Sequence, residues 1–264
     1  MAFEELKQRQ AKMWSAGPFE NVANEIANLH EHLVRALDPK PGEKWLDVAT
    51  GTGGVAARAA RAGADVTGSD LSPGLIETAK QQAAAENLHV TYEVGDAEEL
   101  PYGNGDFDVV SSSVGVTFAP DHRAVAHELG RVTKPGGRLG LIAWEPGGGI
   151  GEFFGMIKRF QPPLPEGAGA MLDWGREDHV RELLGSDFDL TFEHATDPQT
   201  GESGEQIWQV YVTSYGPIKI LYESLDDDRK EELHRSYVDF YEGHRNDGSI
   251  VAPREYLLIL GRRK

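Results

Sequence analysis

An open α/β sheet with mainly parallel strands and helices on both faces is the fold this sequence predicts, and three observations predict it. Apolar strand-like and amphipathic helix-like segments alternate from residue 44 to residue 145. The first strand runs directly into glycines at 51, 53 and 54, ahead of an Ala/Arg-rich helix. The second strand ends on Asp70. Glycines let the backbone turn sharply and approach a ligand, and an acid one strand over offers two oxygens to a ribose diol. Strand, glycine turn, helix, strand, acid is therefore the grammar of a nucleotide or nucleoside site.

The elements follow in order. Val22, Ile26, Leu29, Leu33 and Leu37 recur at three- and four-residue intervals, the stripe of an amphipathic helix over 20–37. Before it, Trp14-Ser-Ala-Gly-Pro-Phe19 reads as a turn between two helices, and Pro39-Lys-Pro-Gly42 punctuates entry to the first strand. Strands are predicted at 44–49, 64–69, 89–94, 106–112 and 137–144, with helices at 53–62, 73–86 and 121–133. In such sheets ligands bind beyond the carboxyl ends of the strands, where Gly51, Asp70, Asp96 and Ser113 all fall. Residues 146–175 are rich in glycine and proline but carry Phe153, Phe154, Met156, Ile157 and Phe160, which reads as a lid or insertion rather than a linker. A helix at 176–185, a sixth strand at 188–195, helical patterns at 203–216 and 226–242 and a last strand at 255–260 complete the chain. The expected organisation is a helical cap (1–43), an α/β core (44–145), and a region (146–264) with the lid, substrate-side helices and closing strands.

Composition narrows the function. A formal charge of −17 without any dense basic block argues against nucleic acid, whose binding draws on Lys and Arg. Cysteine is absent, so disulfides, thiolate metal sites and a cysteine nucleophile are excluded. No apolar run approaches a membrane span and the first residues carry no apolar leader, so a cytoplasmic protein is expected, monomeric or homodimeric.

The glycine pattern alone fits more than one ligand. Gly51, Gly53 and Ala56 satisfy a dinucleotide fingerprint, with Asp70 19 residues after Gly51. Three further features separate the readings: Asp47 inside the first strand, the acidic turn Gly95-Asp-Ala-Glu-Glu-Leu-Pro101, and the late turn Arg131-Val-Thr-Lys-Pro-Gly-Gly-Arg-Leu139. A pyrophosphate wants backbone N–H groups and no extra carboxylate. Acids at the ends of three strands suit a phosphate-free ligand with positive charge, and S-adenosylmethionine (SAM) is such a ligand.

Residues 44–145 resemble a class I SAM-dependent methyltransferase, nearest to the ubiquinone/menaquinone C-methyltransferase (UbiE-like) branch. The resemblance rests on Leu-Asp-Val-Ala-Thr-Gly-Thr-Gly (46–53), Gly-Ser-Asp-Leu-Ser-Pro-Gly-Leu (68–75), Gly-Asp-Ala-Glu-Glu-Leu-Pro-Tyr (95–102), Phe-Asp-Val-Val-Ser-Ser-Ser (107–113) and the late turn. It implies a Rossmann-like seven-stranded sheet, its last strand antiparallel beside the sixth. It also implies SAM as cofactor, S-adenosylhomocysteine (SAH) as product, and methyl transfer to a C, O or N nucleophile of a small organic molecule. An NAD(P)-dependent oxidoreductase and a non-catalytic SAM-binding regulatory module are the alternatives.

By the same resemblance Asp70 accepts both ribose hydroxyls, Asp96 accepts from the adenine amino group and Ala97 donates its N–H. Leu71 lies on the adenine face or in ordinary core. Gly51, Thr52 and Gly53 give close backbone approach, Phe19 contacts the cofactor, and Ser113, or its neighbour Ser112, touches the methionine portion. Asp47 either receives the methionine end or ties down the glycine loop, and Glu98 and Glu99 are expected to face solvent. Where the UbiE-like branch shows Phe-Gly-Leu-Arg-Asn, this chain has Val114-Gly-Val-Thr-Phe118, which suggests an apolar wall. No catalytic base declares itself among the histidines. His30 and His32 point apart on a helix, so no metal site is expected there. Trp208, Tyr211 and Tyr215, at helical spacing, belong either to core or to a substrate wall.

Overall fold

The computed structural model describes residues 3–264. Seven strands form one sheet: β1 (Lys44–Val48), β2 (Asp65–Asp70), β3 (Val90–Val94), β4 (Phe107–Ser113), β5 (Thr133–Trp144), β6 (Phe188–Thr196) and the last strand, Glu255–Arg263. The spatial order is β3-β2-β1-β4-β5-last-β6, and the last strand runs antiparallel to both β5 and β6. This is the expected seven-stranded Rossmann-like α/β fold.

Alternation of side chains builds the two layers. Trp45 and Val109 face one core, together with Leu29, Leu33 and Leu37 of helix α3 (Ala27–Leu37), Val55 and Ala59 of α4 (Gly54–Arg61), and Ile76 and Ala79 of α5 (Pro73–Ala85). Leu46, Val48 and Val110 face the other, against Val125 and Leu129 of α6 (His122–Val132), Trp174 and residues 180 and 184. Both faces of the sheet are thus buried, and a ligand has access only at the strand ends.

Helices α1 (Glu4–Trp14) and α2 (Glu20–Ala23) roof that end of the sheet. α9 (Gly204–Ser214) and α10 (Gly216–Ser224) pack against α2 and α1, α11 (Asp227–Glu242) packs on α9 and on α7 (Gly148–Lys158), and α8 (Glu177–Leu184) packs on α6 and β6. Three features differ from the sequence reading. The glycine/proline-rich stretch after residue 146 holds an eleven-residue helix, α7, because Ile150, Phe153 and Ile157 bury one face of it. The pattern at 203–216 is the first of two helices, since the chain turns at Tyr215 and Pro217 sits in the first turn of α10. Three short strands, β7 (Gln199–Gly201), β8 (Arg245–Asn246) and β9 (Ser249–Ala252), form a second sheet that the sequence did not signal; the 255–263 strand is accordingly β10. β5 also begins at Thr133, earlier than 137, because a register shift against β4 absorbs the Lys-Pro-Gly-Gly turn.

Candidate cofactor and substrate site

A cavity of about 1380 Å³, counting its open mouth and the solvent in it, lies over the carboxyl ends of β1, β2 and β4. Of the residues singled out in the sequence, Phe19, Gly51, Thr52, Asp70, Leu71, Asp96, Ala97 and Ser113 line it, and Gly53 does not. Gly53 instead holds the turn, at φ +85°, and a side chain there would collide with the hydroxyl of Tyr92 beneath the loop.

Asp70 organises the loop. Its Oδ2 accepts from the Gly51 N–H at 2.9 Å and its Oδ1 from the Ser72 N–H at 2.8 Å. Burial pushes its carboxyl above the usual carboxylate range, against those two bonds. Each oxygen keeps a lone pair for a further donor. Asp47 works from below: it is 1% exposed, accepting from Thr50 Oγ1 at 2.6 Å and Ser111 Oγ at 2.8 Å. It is absent from the cavity wall and ties the loop to β4.

Burial raises the Asp47 carboxyl to about 6, from 3.8 when solvated. The stability associated with its proton is complete below pH 3.8 and is lost as pH rises through 6. Asp47→Asn, neutral at every pH, is therefore expected to be the more stable form at pH 7.5 by roughly 1–3 kcal/mol. Melting curves across pH should show that advantage closing toward pH 4; a gap independent of pH would contradict it.

Two non-glycine residues with left-handed backbone, Ala49 (φ +53°) and Val114 (φ +65°), end β1 and follow β4, and both line the cavity. Such a conformation is costly for a β-branched residue and persists where the surroundings enforce it. Ser113 lines the cavity, and its Oγ has no partner among the described residues, whereas Ser112 Oγ is buried and accepts from the Val116 N–H at 3.2 Å. Of the two serines, only Ser113 is positioned to meet a ligand.

The acidic turn carries a correction. Glu98 does not face solvent: the buried Lys7 of α1 donates to Asp96 Oδ2 at 2.6 Å and to Glu98 Oε2 at 2.9 Å. Despite desolvation, these carboxylates hold the Lys7 ammonium above its ordinary range. Glu99 is exposed. One face of α1, through Lys7, Gln10 and Trp14, thereby closes one side of the cavity.

Much of the remaining wall is aromatic. Trp14 makes edge contacts with Phe19, Phe118 and Tyr215, at ring-centre distances of 5.6, 4.7 and 5.6 Å. Trp144, Phe153, Phe154, Tyr211 and Tyr241 continue the wall. The aromatic row of α9 therefore divides: Tyr211 and the following Tyr215 line the cavity, while Trp208 packs in core against Tyr222 and Tyr237. Arg254 also reaches the wall, buried and paired with Asp197.

Lys7, Trp144 and Arg254, which carry no motif in the sequence, join the site from distant segments, as does His30, set aside in the sequence as base and as metal ligand. His122 pairs with His179 at 3.0 Å, and Glu128 accepts from the Leu100 N–H and from Arg131.

Residues 46–137 match the model of the methyltransferase domain family. That segment is a class I SAM-dependent methyltransferase domain. An uncharacterized Mycobacterium tuberculosis protein is 34% identical over 257 residues, covering 96% of this methyltransferase and 93% of the relative. The demethylmenaquinone methyltransferase of Corynebacterium glutamicum is 43% identical over 103 residues, 39% of this chain and 42% of that one. In fold, the enzyme is similar to the Haemonchus contortus phosphoethanolamine N-methyltransferase 2 solved with SAM. That likeness has a TM-score of 0.57 at 19% identity, over 90% of this chain and 53% of the other. Membership makes SAM the cofactor and sets the oxidoreductase reading aside. Among the described residues, no helix is long and apolar enough to cross a membrane.

Proposed function

We propose that SAM lies along the acidic floor of the cavity and that a small organic molecule, held between the aromatic walls, receives its methyl group on a C, O or N nucleophile. The observation that carries this is one cavity whose wall combines the glycine loop and strand-end carboxylates with a large set of aromatic rings. Asp70 would take the ribose hydroxyls, Asp96 and Ala97 the adenine edge, and Leu71 an adenine face. Gly51, Thr52, Ser113 and Phe19 would border the rest, with Gly53 shaping the turn.

SAM supplies a methyl group on a good sulfonium leaving group, so the chain has mainly to align and to exclude water. Alignment of nucleophile and methyl at roughly 3–3.5 Å contributes several kcal/mol. The Trp14, Phe19, Phe118 and Tyr215 rings would keep that volume dry. The cations on the wall, Lys7 and Arg254, are each already paired with carboxylates, which favours an uncharged substrate. The stretch from Val114 to Phe118 departs from the quinone-methylating branch, and the likeness to its Corynebacterium member spans 39% of the chain, so a quinone precursor is not carried over.

Incubation with methyl-labelled SAM and a small-molecule extract tests the reading. Label should enter the low-mass fraction, and Asp70→Ala should suppress it. Label confined to macromolecules, or none at all, would overturn the proposal.

A further inference from the structure

We infer that His30 anchors the carboxylate of the cofactor's amino-acid end, together with the N-terminus of α4. This rests on the proposed placement of SAM in the cavity. His30 sits one turn into α3, is 8% exposed, and lines the cavity. Burial first, and the nearby Arg58 second, push its imidazole down to about 3, with no hydrogen bond among the causes. It is a neutral ring with one N–H to donate, and it makes no hydrogen bond among the described residues. An acceptor entering the cavity would gain a hydrogen bond from that N–H.

The neighbours indicate the occupant's charge. The ring's Nδ1 edge lies against Gly54, the first residue of α4; a Cβ at Gly54 would come within 2.5 Å of that nitrogen. Glycine is what lets the imidazole and the start of the helix meet. The first N–H groups of a helix have no intrahelical acceptor and carry the positive end of its dipole. Here the ladder opens with the Ala57 N–H donating to the Gly53 carbonyl. Arg58, one turn along, donates to the Gly54 carbonyl at 2.7 Å and pairs with Glu31 at 3.4 Å. The Ala56 N–H is already given to Asp47, and the imidazole N–H and the remaining first N–H groups of the helix are left to suit an anion. SAM carries one anionic group, its carboxylate. Gly51 and Thr52 of the same loop line the cavity beside this corner.

Paired ligands test the inference: SAH, which has the carboxylate, and 5′-methylthioadenosine, which lacks the amino-acid end. Calorimetric titration of His30→Ala should show SAH weakened about tenfold and 5′-methylthioadenosine changed less than about twofold, the size of one hydrogen bond to a charged group. His30→Asn, which keeps an N–H donor, should restore most of the SAH affinity. Melting curves check that each variant is folded. Equal weakening of both ligands would make His30 a packing residue, and unchanged SAH affinity with lost turnover would place it at the substrate; either overturns the inference. Failure of the unaltered protein to bind either ligand would instead refute the cofactor placement itself.

Discussion

Valine at position 53 is expected to abolish SAM binding and to lower the unfolding free energy by about 3 kcal/mol or more, summing left-handed strain and overpacking. Gly53 holds φ +85°, a region a β-branched residue enters only with strain. Its missing side chain also leaves room for Tyr92, whose ring carbon Cζ would lie 2.9 Å from a Cβ. The constraint comes from beneath the loop. The turn that presents Gly51 and Thr52 to the cavity is seated on a β3 tyrosine, and pushing it upward displaces both. Titration with SAH alongside melting curves checks this. A stable variant that binds normally would reduce the glycine loop to a tolerant turn.

Asp70→Ala should weaken SAM binding by about 1.5–3 kcal/mol, the range for hydrogen bonds to a charged group, and cost less in stability. The carboxylate has two tasks: it takes the Gly51 and Ser72 N–H groups, and it keeps lone pairs toward the cavity. Asp70→Asn separates them. It retains one acceptor oxygen for the loop but loses the charge, so its affinity should fall between the two. Calorimetry on the three proteins gives the order; unchanged affinity in Asp70→Ala would remove Asp70 from the site.

What could be read from the sequence was local. A turn such as Asp47 to Gly53 declares its geometry through residue type, because glycine and a strand-end acid have few other reasons to sit seven residues apart or less. The five-strand alternation likewise survives translation into a sheet, since each strand's period is written in its own residues. The helix in 148–158 was hidden by glycines that composition assigns to loops, and its order comes from Phe153 meeting Tyr237 and Phe240 of α11. β7, β8 and β9 are two to four residues long, too short to carry a period.

The site divides the same way. Asp96 was visible in its turn, but its partner Lys7 is 89 residues away on a helix with an unremarkable pattern. Glu98 looked like a solvent charge for the same reason. His30 was set aside as a lone helical histidine, and only the packing of α3 on Gly54 brings its ring to the cavity. Arg254 and Trp144 arrive through the antiparallel pairing of β10 with β5, a register that no local motif encodes.

The most direct measurement is a crystal structure of the protein with SAH. Ribose hydroxyls on Asp70, adenine at Asp96 and Ala97, and the amino-acid end over Gly51 toward His30 are the result expected. Ligand bound outside this cavity, or within it with the ribose away from Asp70, would contradict the account.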